Sequence, residues 1–433
     1  MIEYGSNKSK ISEIDSSYSN KTLPDFYGYD MPTVRSYSLV LDAWAKTKHK
    51  ERASQVETIF NRMHELYAKG YDVKPNRFTY TIVINAIAKS NEKGAAERAE
   101  RILNSMLHLL NDGERNNGDM IPSLTTFNTV IDAWSRSKEI DCGQRAQNIF
   151  NKLQLLSKKM PSLKPDLTTY NSVITAWARC SKIDENAVSS AEQLINEMKH
   201  AECNTISPNT ITYNALLNAY SYRAQNTHVE KALAILSYME KQYENGNQNV
   251  KPDLITYTSM INVYAKSNKK GMAEDAKKIF QRMIGDQEDN DEMKLKPDLV
   301  AYASLLQVCV NTRGNFYEKQ TAFNIAHEAY NHLMEKSTKD KKLQPNKVIY
   351  RILIEVFGFM SNDESGNQLL EKVFVQCCQD GQLDSNVLRT FRHAASPSLF
   401  EKLVEKHAKQ DVKNMHAYSV NNLPSEWSSN IYK

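Results

Sequence analysis

The sequence predicts an all-α fold, a right-handed α-solenoid of stacked helix–turn–helix repeats, on two observations. A proline followed five residues later by an aromatic recurs eight times, at Tyr37, Tyr80, Phe127, Tyr170, Tyr213, Tyr257, Tyr302 and Tyr350, in steps of 43, 47, 43, 43, 44, 45 and 48 residues. Each aromatic leads into two successive apolar stripes of helical period. A lone helix pair of this size cannot bury both stripes, whereas a stack of such pairs can.

The first helix of each unit opens at the aromatic. From Tyr170 the apolar residues Val173, Ile174 and Trp177 fall at +3, +4 and +7; Tyr37 leads to Val40, Leu41 and Trp44, and Tyr257 to Met260, Ile261 and Tyr264. A proline just before a helix loses nothing by lacking its N–H. The Thr, Ser, Asp and Asn residues beside it supply cap oxygens. The second helix carries its own stripe, as in Ala99-Ile102-Leu103-Met106, Ala146-Ile149-Phe150-Leu153 and Ala276-Ile279-Phe280-Met283, where the small leading Ala lets paired helices approach closely.

Repeats beginning near 32, 75, 122, 165, 208, 252, 297 and 345 fill residues 32–361. Residues 1–31 are expected to be disordered. They carry Glu3, Glu13, Asp15, Asp25 and Asp30, and so read poorly as an organellar transit peptide. Residues 362–433 are expected to form a degenerate helical cap, with short helices near 368–378, 386–393 and 399–407 and a tail around Trp427 folding back onto them.

Charged residues make up 24% of the chain but leave a net charge of only +4, so a nucleic-acid partner requires the cations to be sorted onto one face. No apolar run is long enough to span a membrane. Six cysteines, at 142, 180, 203, 309, 377 and 378, include no C-x-x-C pair, which reads as buried or incidental thiols in a reducing compartment. No hydrolase, P-loop or zinc-protease motif occurs. His327 and His332 are five apart and do not share a helix face. The acidic run Asp286, Glu288, Asp289, Asp291 and Glu292 reads as solvated linker, and Lys336, Lys339, Lys341 and Lys342 as loop. The reading is non-enzymatic, with no cofactor, no metal and no membrane, and monomeric.

The polar face is more informative. At one, five and nine places after the aromatic stand Ser38-Asp42-Lys46, Thr81-Asn85-Lys89, Asn128-Asp132-Arg136, Asn171-Thr175-Arg179 and Thr258-Asn262-Lys266. Spacings of four and eight share one side of a helix. If first helices line one wall, that wall is a row of amides and hydroxyls edged by cations. Amides and hydroxyls meet base edges, and Lys and Arg meet phosphates. A helix dipole alone would also favour a C-terminal cation.

The phrases KPDLTTYNSV and KPDLITYTSM, with A-x-x-[IL]-[FL]-x-x-M in the second helix, resemble the pentatricopeptide repeat family over residues 32 to about 360, with repeats longer than the family's 35 residues. The resemblance implies single-stranded RNA as partner, alongside RNA-processing proteins, and a mitochondrial or plastid home with a role in RNA processing, stability or translation. It implies that the residue after each aromatic, paired with the residue after the next proline, selects a base. The pairs Asn128/Asp166 and Asn214/Asp253 would favour uracil, Asn171/Asn209 a pyrimidine, Thr258/Asp298 guanine, Ser38/Asn76 adenine and Thr81/Ser123 a purine. Read 5′ to 3′ from the N-terminus, this gives A-purine-U-pyrimidine-U-G. It further implies that Arg35, Phe78, Thr125, Thr168, Ile211, Ile255 and Val300, two before the aromatic, wedge between bases. Lys46, Lys89, Arg136, Arg179 and Lys266 would sit on phosphates. A protein-binding scaffold of the helical-repeat type is the alternative.

Overall fold

The computed structural model describes residues 32–90, 92–111, 120–201, 206–223, 226–267, 270–285, 295–360, 363–407 and 420–431. The expectations for residues 1–31, Cys203 and the acidic run from Asp286 to Glu292 lie outside the described residues. Those described form helices and no strand.

The helices come in pairs. They are α1 (Val34–Lys46) and α2 (Arg52–Ala68), α3 (Arg77–Ala88) and α4 (Ala95–Asn111), α5 (Leu124–Arg136) and α6 (Cys142–Ser157), and α7 (Leu167–Cys180) and α8 (Ala187–His200). There follow α9 (Thr210–Tyr222) and α10 (Asn226–Glu244), α11 (Leu254–Lys266) and α12 (Met272–Ile284), α13 (Leu299–Asn311) and α14 (Phe316–Lys339), and α15 (Lys347–Phe357) and α16 (Glu364–Gln379). Each first helix packs on the first helix of the next repeat, and each second helix sits between its own first helix and the following one. This is the expected α-solenoid.

The aromatic that sets the period is the anchor of each junction. Tyr80, Phe127, Tyr213, Tyr257, Tyr302 and Tyr350 are buried in one continuous core that runs the length of the array. A buried phenol needs a partner for its hydroxyl. Tyr257 donates to Glu240 (3.0 Å), and the hydroxyl of Tyr302 lies 2.8 Å from His332 Nδ1. Burial pushes the phenols of Tyr80 and Tyr302 up to about 12. The leading alanines Ala99, Ala146, Ala191, Ala232 and Ala276 are fully buried, where a larger side chain would hold the helices apart.

The outer edge is polar. Successive second helices are linked by Glu57–Arg98 (2.8 Å), Glu100–Arg145 (3.8 Å), Glu192–Lys231 (2.7 Å), Glu240–Arg282 and Lys277–Glu328 (2.5 Å). Such partly solvated pairs contribute roughly 0–1 kcal/mol each.

Three expectations are corrected. Cys142, opening α6, and Cys180, closing α7, form a disulfide with Sγ–Sγ 2.13 Å, not two incidental thiols. The fold brings them together across 38 residues because the start of a second helix abuts the end of the next first helix. Cys309, Cys377 and Cys378 are buried thiols, as expected. Lys336 and Lys339 lie on α14, and Lys341 and Lys342 in a 3-10 turn, because α14 runs further than its apolar stripe suggests. The eighth repeat takes α16 as its second helix, beyond residue 361.

The array is closed by α17 (Ser385–Ala394) and α18 (Pro397–Leu403). The tail folds back as expected. Trp427 meets Phe374 edge-on at 6.3 Å, its carbonyl accepts from the Leu383 N–H (2.8 Å), and Asn430 bonds the Gly381 and Asp380 carbonyls (2.9 Å each).

The junction between α6 and α7 is close-packed at Gly143. A Cβ on Gly143 would fall 2.4 Å from the Trp177 ring, whose N–H is fixed by Gln147 (3.0 Å). Gly143→Ala is therefore expected to loosen this junction by about 1–3 kcal/mol despite the better helix propensity of alanine. Hydrogen exchange should show the loss in α6 and α7 and leave α11 to α13 protected.

Candidate nucleic-acid interface

The wall formed by the first helices is built from their N-termini. The residue after each proline is the N-cap: Thr33, Asn76, Ser123, Asp166, Asn209, Asp253, Asp298 and Asn346 each accept a backbone N–H of the first turn. In four of them, Asn76, Asp166, Asn209 and Asp253, the threonine three places on returns the bond to the cap's own N–H, a full capping box. Six of these eight caps are also the second members of the base-selecting pairs expected from the sequence.

Three of the six pairs are in contact across a repeat junction. Asn128 Nδ2 donates to Asp166 Oδ1 (3.3 Å), Asn171 Nδ2 to Asn209 Oδ1 (3.3 Å) and Asn214 Nδ2 to Asp253 Oδ1 (3.0 Å). The other three are not joined in this way. Ser38 turns its hydroxyl to the Val34 carbonyl (2.8 Å). Thr81 bonds the Arg77 carbonyl (2.8 Å) and lies 3.3 Å from Thr126, which meets Ser123 at 2.9 Å. Thr258 is 8% exposed and its hydroxyl has no hydrogen-bond partner among the described residues, while Asp298 caps α13.

The threonine column was not singled out in the sequence. Thr169 Oγ1 lies 2.8 Å from Asn128 Oδ1, Thr212 Oγ1 2.6 Å from Asn171 Oδ1 and Thr256 Oγ1 2.7 Å from Asn214 Oδ1. All three threonines are fully buried. The signal was there, since a threonine stands immediately before the aromatic in five consecutive repeats, from Thr79 to Thr256.

Beside these pairs stands a row of exposed side chains. Phe78, Ile211, Ile255 and Val300 are 61%, 60%, 60% and 59% exposed and repeat at the same offset from the aromatic in their repeats. Arg35, Thr125 and Thr168 occupy the same row and are also exposed. All seven expected wedges thus face away from the core.

The cation column has structural partners. Arg136 donates to the Ala88 carbonyl (3.3 Å) and to Asp132 (2.7 Å), and Arg179 to the Ser135 carbonyl. Arg223 donates to the Ser181 carbonyl (2.9 Å), and Asn311 to that of Ala265 (2.5 Å). Each closes the C-terminus of the preceding first helix, where carbonyls lack intrahelical partners. Lys266 lies 4.3 Å above the Tyr222 ring, and burial, with Lys182 nearby, lowers its pKa. Lys46 pairs with Asp42 (2.6 Å), and Lys89 is exposed. Of the column read as phosphate ligands, Arg136, Arg179 and Lys266 make inter-repeat contacts, whereas Lys46 pairs within its own helix.

Among the described residues, no group of three or more His, Cys, Asp or Glu is placed to hold a metal, and no helix is long and apolar enough to cross a membrane.

Fold and wall together define an α-helical repeat protein with a polar face beside a row of exposed side chains. The PPR repeat family matches residues 165–221 and 208–266, and the pentatricopeptide repeat domain matches residues 242–312. Residues 165–312 thus carry pentatricopeptide repeats, which support in general a helical-repeat protein of the kind associated with RNA binding and organellar RNA processing. No curated protein matches it.

If Arg179 is foremost an inter-repeat tie, Arg179→Ala should cost about 1–3 kcal/mol at the α5–α7 junction, by leaving the Ser135 carbonyl without its charged donor. A denaturant melt checks this without any ligand. Arg179→Lys, with one short cation in place of a forked one, should recover only part of the loss.

Proposed function

We propose that this protein is a non-enzymatic, sequence-selective binder of single-stranded RNA, each base lying at a junction between consecutive first helices. The observation that supports this best is the alternation along the wall. Exposed apolar side chains, which suit base faces, stand beside inter-repeat amide pairs, which suit base edges. The pairs Asn128/Asp166 and Asn214/Asp253 read uracil, Asn171/Asn209 a pyrimidine, Thr258/Asp298 guanine, Ser38/Asn76 adenine and Thr81/Ser123 a purine. Lys46, Lys89, Arg136, Arg179 and Lys266 supply positive charge along the phosphate path. Holding a short stretch open in this way serves RNA processing, stability or translation in a mitochondrion or plastid, with catalysis left to partner proteins.

A protein-binding scaffold uses the same solenoid but not the same electrostatics. With four or five phosphate contacts, log affinity for RNA should fall with log salt at a slope of roughly −3. A peptide groove carries no such requirement.

Crosslinking and sequencing of bound RNA should return a motif near A-purine-U-pyrimidine-U-G, and Asn128→Thr should move its third base from U to G. Phe78→Ala should weaken binding by about 1–3 kcal/mol, the usual loss of one stacked base, with the melting curve unmoved. Absence of RNA above background would turn the reading to the scaffold.

A further inference from the structure

We infer that Thr169 and Thr256 are specificity-determining positioning residues, each locking the neighbouring asparagine amide in the one orientation that distinguishes uracil from cytosine. This rests on the RNA reading above and deepens it.

The chemistry of the junction forces the orientation. Asp166 Oδ1 already accepts the Thr169 backbone N–H (2.8 Å), and an ionised carboxylate can only accept. The edge of Asn128 that faces it at 3.3 Å must therefore be the N–H edge. That turns Asn128 Oδ1 toward Thr169 Oγ1, 2.8 Å away, where it needs a donor. The threonine hydroxyl stands between that oxygen and Asp166 Oδ1, 2.7 Å away, and shares its one proton between the two, while its own oxygen accepts the Asp166 backbone N–H at 3.2 Å. A flipped amide would set its oxygen against the carboxylate.

The same logic holds at the α9–α11 junction. There the carboxylate of Asp253 faces Asn214 at 3.0 Å, and Thr256 closes the triad at 2.7 Å. Asn214 is only 9% exposed, so little room is left for the amide to turn.

Each locked amide keeps one N–H and one oxygen lone pair for a ligand. A base held in a fixed pose by its flanking wedges presents its 3- and 4-positions to them. Uracil offers a donor at N3 and an acceptor at O4; cytosine offers the reverse. A fixed amide fits one of the two, and a freely rotating amide fits both. Removing the threonine hydroxyl removes the donor that resists rotation.

The chain contains its own contrast. At the α11–α13 junction the position equivalent to Thr169 is Ala301, and there the Thr258 hydroxyl is buried with no hydrogen-bond partner among the described residues.

The test uses the full chain and short synthetic RNAs based on A-purine-U-pyrimidine-U-G, with U or C at the third or the fifth base and, for Ala301→Thr, varied at the sixth. The readout is the ratio of the two affinities. Thr169→Val should lower the third-base preference for U over C about five- to tenfold, the worth of one well-placed hydrogen bond to a base-reading group. Thr169→Ser should restore it, and the fifth-base preference set by Asn214 should stay put in both. The lost capping-box bond in Thr169→Val weakens binding to both RNAs alike and cancels in the ratio. Ala301→Thr is the converse variant, expected to sharpen discrimination at the sixth base. An unchanged third-base ratio in Thr169→Val, with RNA still bound, overturns the lock and leaves the RNA reading standing. Failure of the wild type to bind any of these RNAs overturns both.

Discussion

Neither helix of a repeat can hide its apolar stripe alone, so the next repeat must cover it, and the geometry of that covering decides where every functional side chain falls. The anchor is the aromatic five residues after the proline. Tyr213 and Tyr257 are almost wholly buried and reach second helices, Tyr213 beside Tyr238 and Tyr257 on Glu240, and the side chain immediately after each falls at the seam between two repeats. The side chain two places before is turned outward by the same helical period, which is why Ile211 and Ile255 are exposed while their neighbours are not. Packing thus generates the polar seam and the apolar row together, at a fixed offset from one another.

A seam between two apolar surfaces is a costly place for an amide unless all its groups are satisfied. The N-cap resolves this. Asp166, Asn209 and Asp253 must be present to end the unpaired N–H groups of a helix, and the same oxygens receive the amide of the preceding repeat. One side chain serves local helix formation and inter-repeat contact, so the two requirements reinforce each other.

Much of this was legible from residues alone. The proline-to-aromatic spacing carried the period and the apolar offsets carried the paired helices. What escaped lies across junctions. The ties of Arg136 and Arg179 to carbonyls 48 and 44 residues earlier, and the meeting of Cys142 with Cys180, depend on how one repeat is seated on the next. Sequence offsets within a repeat carry no information about that seating. The threonine column was visible as a pattern, yet its partner, the asparagine of the preceding repeat, becomes evident only once the seam is closed.

The two edges of the solenoid are held by bonds of different kinds. Along the first helices the links are short, buried and directional, as in Thr256 to Asn214 at 2.7 Å. Along the second helices they are ion pairs between long side chains, such as Glu100–Arg145 at 3.8 Å, which tolerate sliding and are weakened by salt. Under load such an array behaves like a beam whose neutral axis lies close to its inner wall. Bending opens and closes the outer edge, while the spacing from seam to seam on the inner edge stays nearly constant. For the RNA binding proposed here, that property would let the ruler keep its markings while its back flexes.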